Sequence, residues 1–218
     1  MKIIGHRGAK GLAPENTIAS IRKALEHDVD GIEFDVRLTR DQVPILLHDD
    51  HLVDPAGNKL SVPNTDLDEL KAHKPDLATL EEALSAIGGR VSVIVEVKPQ
   101  VPAQPIIAIL KELPQDYRVS VASFDYSLLR TIHATLPDLP LVVNDMWSGT
   151  RATRRARKLG TKRLGMYQMW LWKPFLVPMA KRGWLISPFT VNDVAKAKRW
   201  ERYGIYGIYT DYPDRFQK

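Results

Sequence analysis

Gly31-Ile32-Glu33-Phe34-Asp35-Val36-Arg37-Leu38-Thr39-Arg40-Asp41-Gln42-Val43-Pro44-Ile45-Leu46-Leu47-His48 is the stretch on which the fold turns. Side chains alternate along a strand, so Ile32, Phe34 and Val36 share one face while Glu33 and Asp35 share the other. The apolar face packs outward against helices, and the two carboxylates point into an interior. Only Thr39-Arg40-Asp41-Gln42 separates this strand from the next apolar run. A parallel return needs a crossover of about a dozen residues or more. The segment therefore folds back as a hairpin. With its turn near Arg40 and Asp41, His48 lies opposite Glu33 or Phe34, beside Asp35.

Outward from this stretch, short β-branched runs alternate with amphipathic segments. Strands are expected over 2–5, 31–37, 91–97, 118–122, 140–143, 164–168, 184–189 and 206–210. Helical patterns fall at about 15–28, 79–87, 103–113, 125–136, 150–159, 173–182 and 192–203. Strands interleaved with helices indicate an α/β fold with a parallel sheet. The reading is one domain over residues 1–218, a TIM (β/α)8 barrel with an extra hairpin strand after the second strand. A doubly wound open sheet is the rival, but Gly5-His6-Arg7-Gly8 lacks its dinucleotide glycine spacing. Residues 49–78, with Pro55, Gly57, Pro63 and Pro75, read as a short irregular insertion with a helix at 66–72. Long loops of this kind often act as caps over a site.

Composition narrows the chemistry. The 218 residues include no cysteine, which excludes disulfides, thiolate metal sites and thiol nucleophiles. No apolar span approaches the ~18 residues of a transmembrane helix, and the N-terminus lacks a secretory h-region. A cytoplasmic enzyme with no integral membrane segment is the expectation. Charge is uneven: residues 1–100 carry a net −5 and residues 101–218 a net +10. This reads either as two solvated surfaces or as an acidic half for a cation and a basic half for an anionic substrate. The basic run Arg151, Arg154, Arg155, Arg157 and Lys158 reads as a solvated outer helix, with nucleic-acid or membrane contact as the alternative. All five Trp lie beyond residue 146; they are expected in packing, with Trp170 or Trp172 at the groove.

Four short motifs can carry chemistry at C-terminal strand ends, where such barrels place their active sites. His6-Arg7-Gly8 ends the first strand. Glu33 and Asp35 end the second, and two interior carboxylates need a compensating positive charge. That charge is either a divalent cation with oxygen ligands or a network with Arg or Lys. Glu96 and Lys98 share one face at the end of the third strand, as a third carboxylate and a phosphate contact or as a simple ion pair. His48-Asp49 is returned by the hairpin. Two histidines, three carboxylates, an Arg and a Lys then converge on one mouth, a set suited to phosphodiester cleavage. His27, His51, His73 and His133 lack convergent partners and are expected at the surface.

Together these motifs resemble the glycerophosphodiester phosphodiesterase family. The stretch from His6-Arg7-Gly8 to Pro14-Glu15-Asn16-Thr17 is similar to its H-R-G…P-E-N-T signature. Its E-x-D falls on Glu33 and Asp35, its H-D on His48 and Asp49, and its E-x-K on Glu96 and Lys98. Ser123-Phe124, Thr190-Val191-Asn192 and Gly207 through Pro213 extend the match. The resemblance implies a TIM barrel in which His6 and His48 form the acid–base pair and Glu33, Asp35 and Glu96 hold one Ca²⁺ or Mg²⁺. It implies phosphate contacts from Arg7 and Lys98, with Glu15 and Asn16 supporting them at the start of the first helix. Pro14 fits the first helical position. The implied reaction releases an alcohol and sn-glycerol 3-phosphate from a small-molecule glycerophosphodiester. Phe189 stands where the family often has Trp, at the substrate wall, and the short insertion implies a reduced cap. Lysophospholipid hydrolysis and a non-catalytic anion-binding barrel are the alternative functions. Nucleic acid is not an expected partner, and oligomeric state is not legible.

Overall fold

A computed structural model describes residues 1–54 and 57–216, with the Trp170 side chain outside that description. Strands β1 (Lys2–Gly5), β2 (Gly31–Leu38), β3 (Pro44–Leu46), β4 (His51–Val53), β5 (Lys59–Ser61) and β6 (Ser92–Val97) come first along the chain. Then follow β7 (Val119–Ser123), β8 (Leu141–Asp145), β9 (Arg163–Tyr167), β10 (Leu185–Phe189) and β11 (Gly207–Thr210). Eight of these are parallel neighbours in the order β10-β9-β8-β7-β6-β2-β1-β11. The circuit closes where the Tyr206 amide donates to the Ile186 carbonyl (2.9 Å) and the Val191 amide to the Tyr209 carbonyl (2.8 Å). The fold is the expected α/β TIM barrel.

Apolar outward faces drive the wrapping. Phe34, Val36, Val95, Val97 and Val121 are fully buried against a helical layer. The helices are α1 (Ile18–Leu25), α2 (Leu67–His73), α3 (Leu80–Ile87), α4 (Ala103–Lys111), α5 (Tyr126–Thr135), α6 (Gly149–Lys158), α7 (Lys173–Lys181) and α8 (Val194–Glu201). Each except α2 follows a barrel strand or its hairpin. At α3, Thr79 and Glu82 form a reciprocal capping box and Gly88, at φ 58°, ends the helix in the left-handed region.

Three expectations are corrected. First, α1 is shorter than 15–28: Thr17 is its N-cap and accepts from the Ser20 amide. Pro14, Glu15 and Asn16 lie in the preceding loop, and Asn16 has φ 56°, which no helix allows. Second, residues 49–78 are not merely irregular. Strands β4 and β5 pair antiparallel, and Leu52, Val62, Leu70 and Leu77 pack on Ile45 of β3 as a small core. Pro55 lies outside the described residues. Third, of the four outlying histidines His73 is exposed, whereas His27, His51 and His133 are half-buried.

The hairpin itself forms as expected. Val36 pairs with Leu46 and Leu38 with Pro44, a register that carries His48 to the level of Phe34. The Leu47 amide donates to the Asp35 carbonyl, and Arg37 then grips the His48 carbonyl through Nε (3.1 Å) and Nη2 (3.0 Å).

Candidate active site

The C-terminal ends of the barrel strands surround a cavity of about 230 Å³. His6, Arg7, Glu33, Asp35, His48, Glu96 and Lys98 all line it, so seven positions spread over some ninety residues of chain meet at one mouth. Among the described residues, none of its lining comes from 49–78.

The loop after β1 has an unusual backbone. Arg7 has φ 51°, a left-handed conformation uncommon for a residue with a side chain. It turns the Arg7 amide onto Glu33 Oε2 at 3.0 Å. Gly8 follows at φ 84°, and a Cβ there would meet Ser20 Oγ at 2.3 Å. That hydroxyl is already committed: it donates to the Arg7 carbonyl and accepts from the Ala9 amide. The α1 segment thus holds the His6-Arg7-Gly8 loop against the barrel.

Glu33, Asp35 and Glu96 each bring a carboxylate oxygen within 4.8 Å of the others. They differ in their partners. Asp35 accepts from Asn16 Nδ2 (2.9 Å), pairs with Lys98 Nζ, and has Arg7 Nε at 3.0 Å. The last contact lacks hydrogen-bond alignment, so buried Arg7 Nε has no hydrogen-bond partner among the described residues. Burial raises the Asp35 carboxyl, but the charges of Lys98 and Arg7 outweigh it and hold the group at about 2. Glu96 pairs with Lys98 and accepts from Asn144 Nδ2 at 2.9 Å. Burial, with the charge of Asp35, still raises it above the ordinary range.

Glu33 is the exception. Among the described residues no Lys or Arg side chain pairs with it, and its carboxylate accepts one hydrogen bond, from the Arg7 amide. Burial and then the charges of Asp35 and Glu96 push it well above the usual carboxyl range. The ion-pair network anticipated as an alternative therefore satisfies Asp35 and Glu96 but leaves Glu33 short of positive charge. Three hard oxygen donors with one carboxylate uncompensated fit a divalent cation.

The two histidines share a pattern. His6 Nδ1 is 2.6 Å from Asp211 Oδ1, and His48 Nδ1 is 2.7 Å from Asp49 Oδ1. A carboxylate accepts only, so Nδ1 carries the proton and Nε2 is left for chemistry. Asp211 is fixed in turn by Asn192 Nδ2 (2.8 Å), while its own amide donates to Asn192 Oδ1 (2.9 Å). Burial raises the Asp211 carboxyl, but hydrogen bonds from His6 and Asn192 prevail and hold it below the ordinary range. Glu15 accepts from Arg7 Nη1 at 2.8 Å, and Asn16 spans Asp35 from its amide to its carboxylate.

Sequence reasoning left Asp211 and Asn144 without roles. Asp211 was legible through barrel closure: Gly5 faces Thr210 across β1 and β11, which sets His6 beside Asp211. Asn144 had no local signal. The opposite wall is aromatic, with the Phe189 ring against Phe124 (5.9 Å), Tyr167 (6.3 Å) and Tyr209 (6.3 Å). Ser123 is not at the site; its hydroxyl is buried and donates to the Val97 carbonyl.

The profile of the glycerophosphoryl diester phosphodiesterase family matches residues 6–215. The chain belongs to that family. A glycerophosphodiester phosphodiesterase from Bacillus altitudinis is 30% identical, with 100% of this chain and 97% of that protein covered. A phosphodiesterase from Oleispira antarctica, solved in complex with the product sn-glycerol-3-phosphate, superposes with a TM-score of 0.88 at 27% identity. That alignment covers 99% of this chain and 94% of the other. The Thermotoga maritima glycerophosphodiester phosphodiesterase, 24% identical, shares the fold with a TM-score of 0.84 over 99% of this chain and 96% of its own. Among the described residues of this phosphodiesterase, no helix is long and apolar enough to cross a membrane.

Proposed function

We propose that the enzyme is metal-dependent and hydrolyses glycerophosphodiesters to an alcohol and sn-glycerol 3-phosphate, with His6 and His48 as the acid–base pair. The observation that carries this reading is that both imidazoles line the cavity of Glu33, Asp35 and Glu96, each with Nδ1 on its own carboxylate. The likeness to a product-bound phosphodiesterase supports the product assignment.

In the first step a glycerol hydroxyl adjacent to the phosphoester attacks phosphorus. One imidazole Nε2 takes the hydroxyl proton, and the other delivers a proton to the departing alcohol oxygen as its P–O bond breaks. The product is a five-membered cyclic phosphate. The roles then reverse: water attacks, the second imidazole takes its proton, and the first protonates the ring oxygen as the cycle opens. Arg7 and Lys98 bear on the phosphoryl oxygens as charge builds there. A Ca²⁺ or Mg²⁺ ion held by Glu33, Asp35 and Glu96 would supply further positive charge to that group. The aromatic wall around Phe189 excludes water from the glycerol end.

A specific feature favours a second substrate range. Trp147, Met169 and Trp172 are 67%, 72% and 66% exposed, and together with Phe175 they line a groove of about 420 Å³. Its Trp147 adjoins Met146, a residue of the catalytic cavity. An apolar groove beside the site accommodates the acyl chain that a lysophospholipid carries on its glycerol, with the headgroup alcohol as the leaving group. Glycerophosphocholine, glycerophosphoethanolamine and a long-chain lysophospholipid, assayed side by side with Ca²⁺, Mg²⁺ and Mn²⁺, test both ranges. Full turnover in chelator-treated, metal-free protein would overturn the metal requirement. Absence of turnover on every diester would overturn the reading.

A further inference from the structure

A cavity of about 570 Å³ lies at the opposite end of the barrel from His6. Its walls are the N-terminal ends of the strands. Barrels of this kind ordinarily fill their interior with layers of bulky branched side chains. One such layer is present: Ile4, Ile94, Ala122, Val142 and Tyr209 form an apolar plug. Beneath it, the residues facing inward are Gly31, Ser92, Ser120 and Ser187, which leave the space open and line it with hydroxyls. Tyr206 adds a further phenol.

The rim is cationic. Lys2, Arg90, Arg118 and Arg163 line the cavity against one carboxylate, Asp30. Three of the cations are committed. Lys2 Nζ is 2.9 Å from Asp30 Oδ1. Arg90 Nε donates to the Ile87 carbonyl at 2.8 Å, and Arg118 Nη2 to the Arg90 carbonyl at 3.1 Å. Arg163 differs: its side chain makes no hydrogen bond or ion pair among the described residues. It stands at the first position of β9, and the residues beside it, Leu164 and Met166, face the outer core. Alternation therefore turns Arg163 inward, into the cavity that Tyr209 also lines.

We propose that this N-terminal mouth is a second binding site, for a small oxyanion that also carries hydroxyl groups, a polyol or sugar phosphate, with Arg163 as its charge partner. The volume falls within the range of about 300–1,000 Å³ typical of small-molecule pockets. A guanidinium with an open fork matches a phosphate bidentately. The serine and tyrosine hydroxyls match a polyol rather than an apolar tail. Tyr209 belongs to the lining of both cavities, so an occupant here touches the floor of the catalytic one. The inference stands independently of the catalytic assignment.

Calorimetric titration of the full chain with glucose 6-phosphate, inorganic phosphate and glucose tests it. Glucose 6-phosphate should bind saturably, more tightly than inorganic phosphate, and glucose should not bind. Arg163→Gln should weaken that binding by about tenfold or more, the scale of one charge-assisted contact. It should leave diester hydrolysis unchanged. Ser120→Leu, which fills the cavity, should abolish binding, with a melting curve to confirm the fold. Arg7→Gln, at the catalytic end, should retain it. No saturable binding to the wild type would overturn the proposal. So would binding untouched by Arg163→Gln, equal binding of inorganic phosphate, or loss of binding in a folded Arg7→Gln variant.

Discussion

His6 and Asp211 lie 205 positions apart and are joined by a 2.6 Å contact between Nδ1 and Oδ1. Strand β1 and strand β11 are neighbours only because the barrel closes, and their register sets these two residues side by side. The carboxylate fixes the imidazole tautomer and stabilises the ring once it has taken a proton. Asp211→Asn should therefore lower kcat by about 10²–10⁴-fold, the scale seen when a carboxylate orienting a catalytic histidine is neutralised. KM should move little, and the pH–rate profile should change shape. An unchanged profile with a proportionate loss of folded protein would reduce Asp211 to a structural role.

His6→Ala and His48→Ala should each cost about 10²–10⁴-fold in turnover. Both side chains are partly exposed at the cavity, so melting temperatures should shift little. If the two act as the proposed acid–base pair, the double variant should lose less than the product of the single losses. Wild-type turnover in His48→Ala would point to another base, and His51, whose Nδ1 sits on Asp50, is the first to examine.

Glu33→Gln separates stability from function. The carboxylate is buried, lacks a cationic side-chain partner and faces two others. Its removal should raise the melting temperature of chelator-treated protein while abolishing metal binding and turnover. The same change in metal-loaded protein should lower the melting temperature, because a ligand that binds only the folded state stabilises it. Equal effects with and without metal would exclude Glu33 as a ligand.

Gly165→Ala tests a residue with no chemistry of its own. A Cβ at this position would stand 2.1 Å from Asn144 Oδ1. Asn144 must then withdraw, and Glu96 loses its 2.9 Å hydrogen bond from Nδ2. Second-sphere partners of metal ligands typically contribute 10–100-fold, so metal affinity should fall by about that factor. Asn144→Ala should reproduce the loss, and Gly165→Ala added to it should cost little more.

Asp145 supplies a pH-dependent contribution to stability. Its buried carboxylate accepts from Arg151 Nε (2.7 Å) and from the amides of Trp147 (2.8 Å) and Ser148 (2.9 Å). Burial raises the group, but these donors outweigh it and depress it below its ordinary value. A depressed carboxyl stabilises the fold above its unfolded value, near pH 4, and that contribution fades as pH falls through the folded value. Asp145→Asn should therefore melt at a lower temperature at neutral pH, with the gap closing in acid. A gap that stays constant into strong acid would remove the charge from the explanation.

The barrel strands were legible because each presents an unbroken apolar face outward, and the hairpin because four residues cannot carry a parallel crossover. Glu33, Asp35 and His48 followed from that geometry. The start of α1 was misread because Pro14 and the acidic Glu15 imitate a helix N-terminus, while Thr17 supplies the cap. The strands of the insertion were missed because three-residue strands carry too little alternation to stand out. Asn144 and Asp211 act on partners from distant strands, so nothing adjacent to them in sequence announces the contact. The basic helix α6 was read as an outer helix. It buries Ala152 and Ala156, while Arg155 lies over the Tyr126 ring and Arg157 over the Trp184 ring. Trp172 is exposed at the groove, and the Trp170 side chain lies outside the described residues.

Barrel closure through β10, β11 and β1 ties activity to the order in which the chain is made. During synthesis His6 emerges well before Asp211, which follows it by 205 positions, and before Asn192, the partner of Asp211. Contacts that span nearly the whole sequence form late, since the intervening loop must be ordered first. A ribosome-bound or prematurely terminated chain can hold the three carboxylates and both histidines and yet lack the group that orients His6. Regain of turnover on refolding is then a clock for ring completion, and it should lag the recovery of helical circular dichroism.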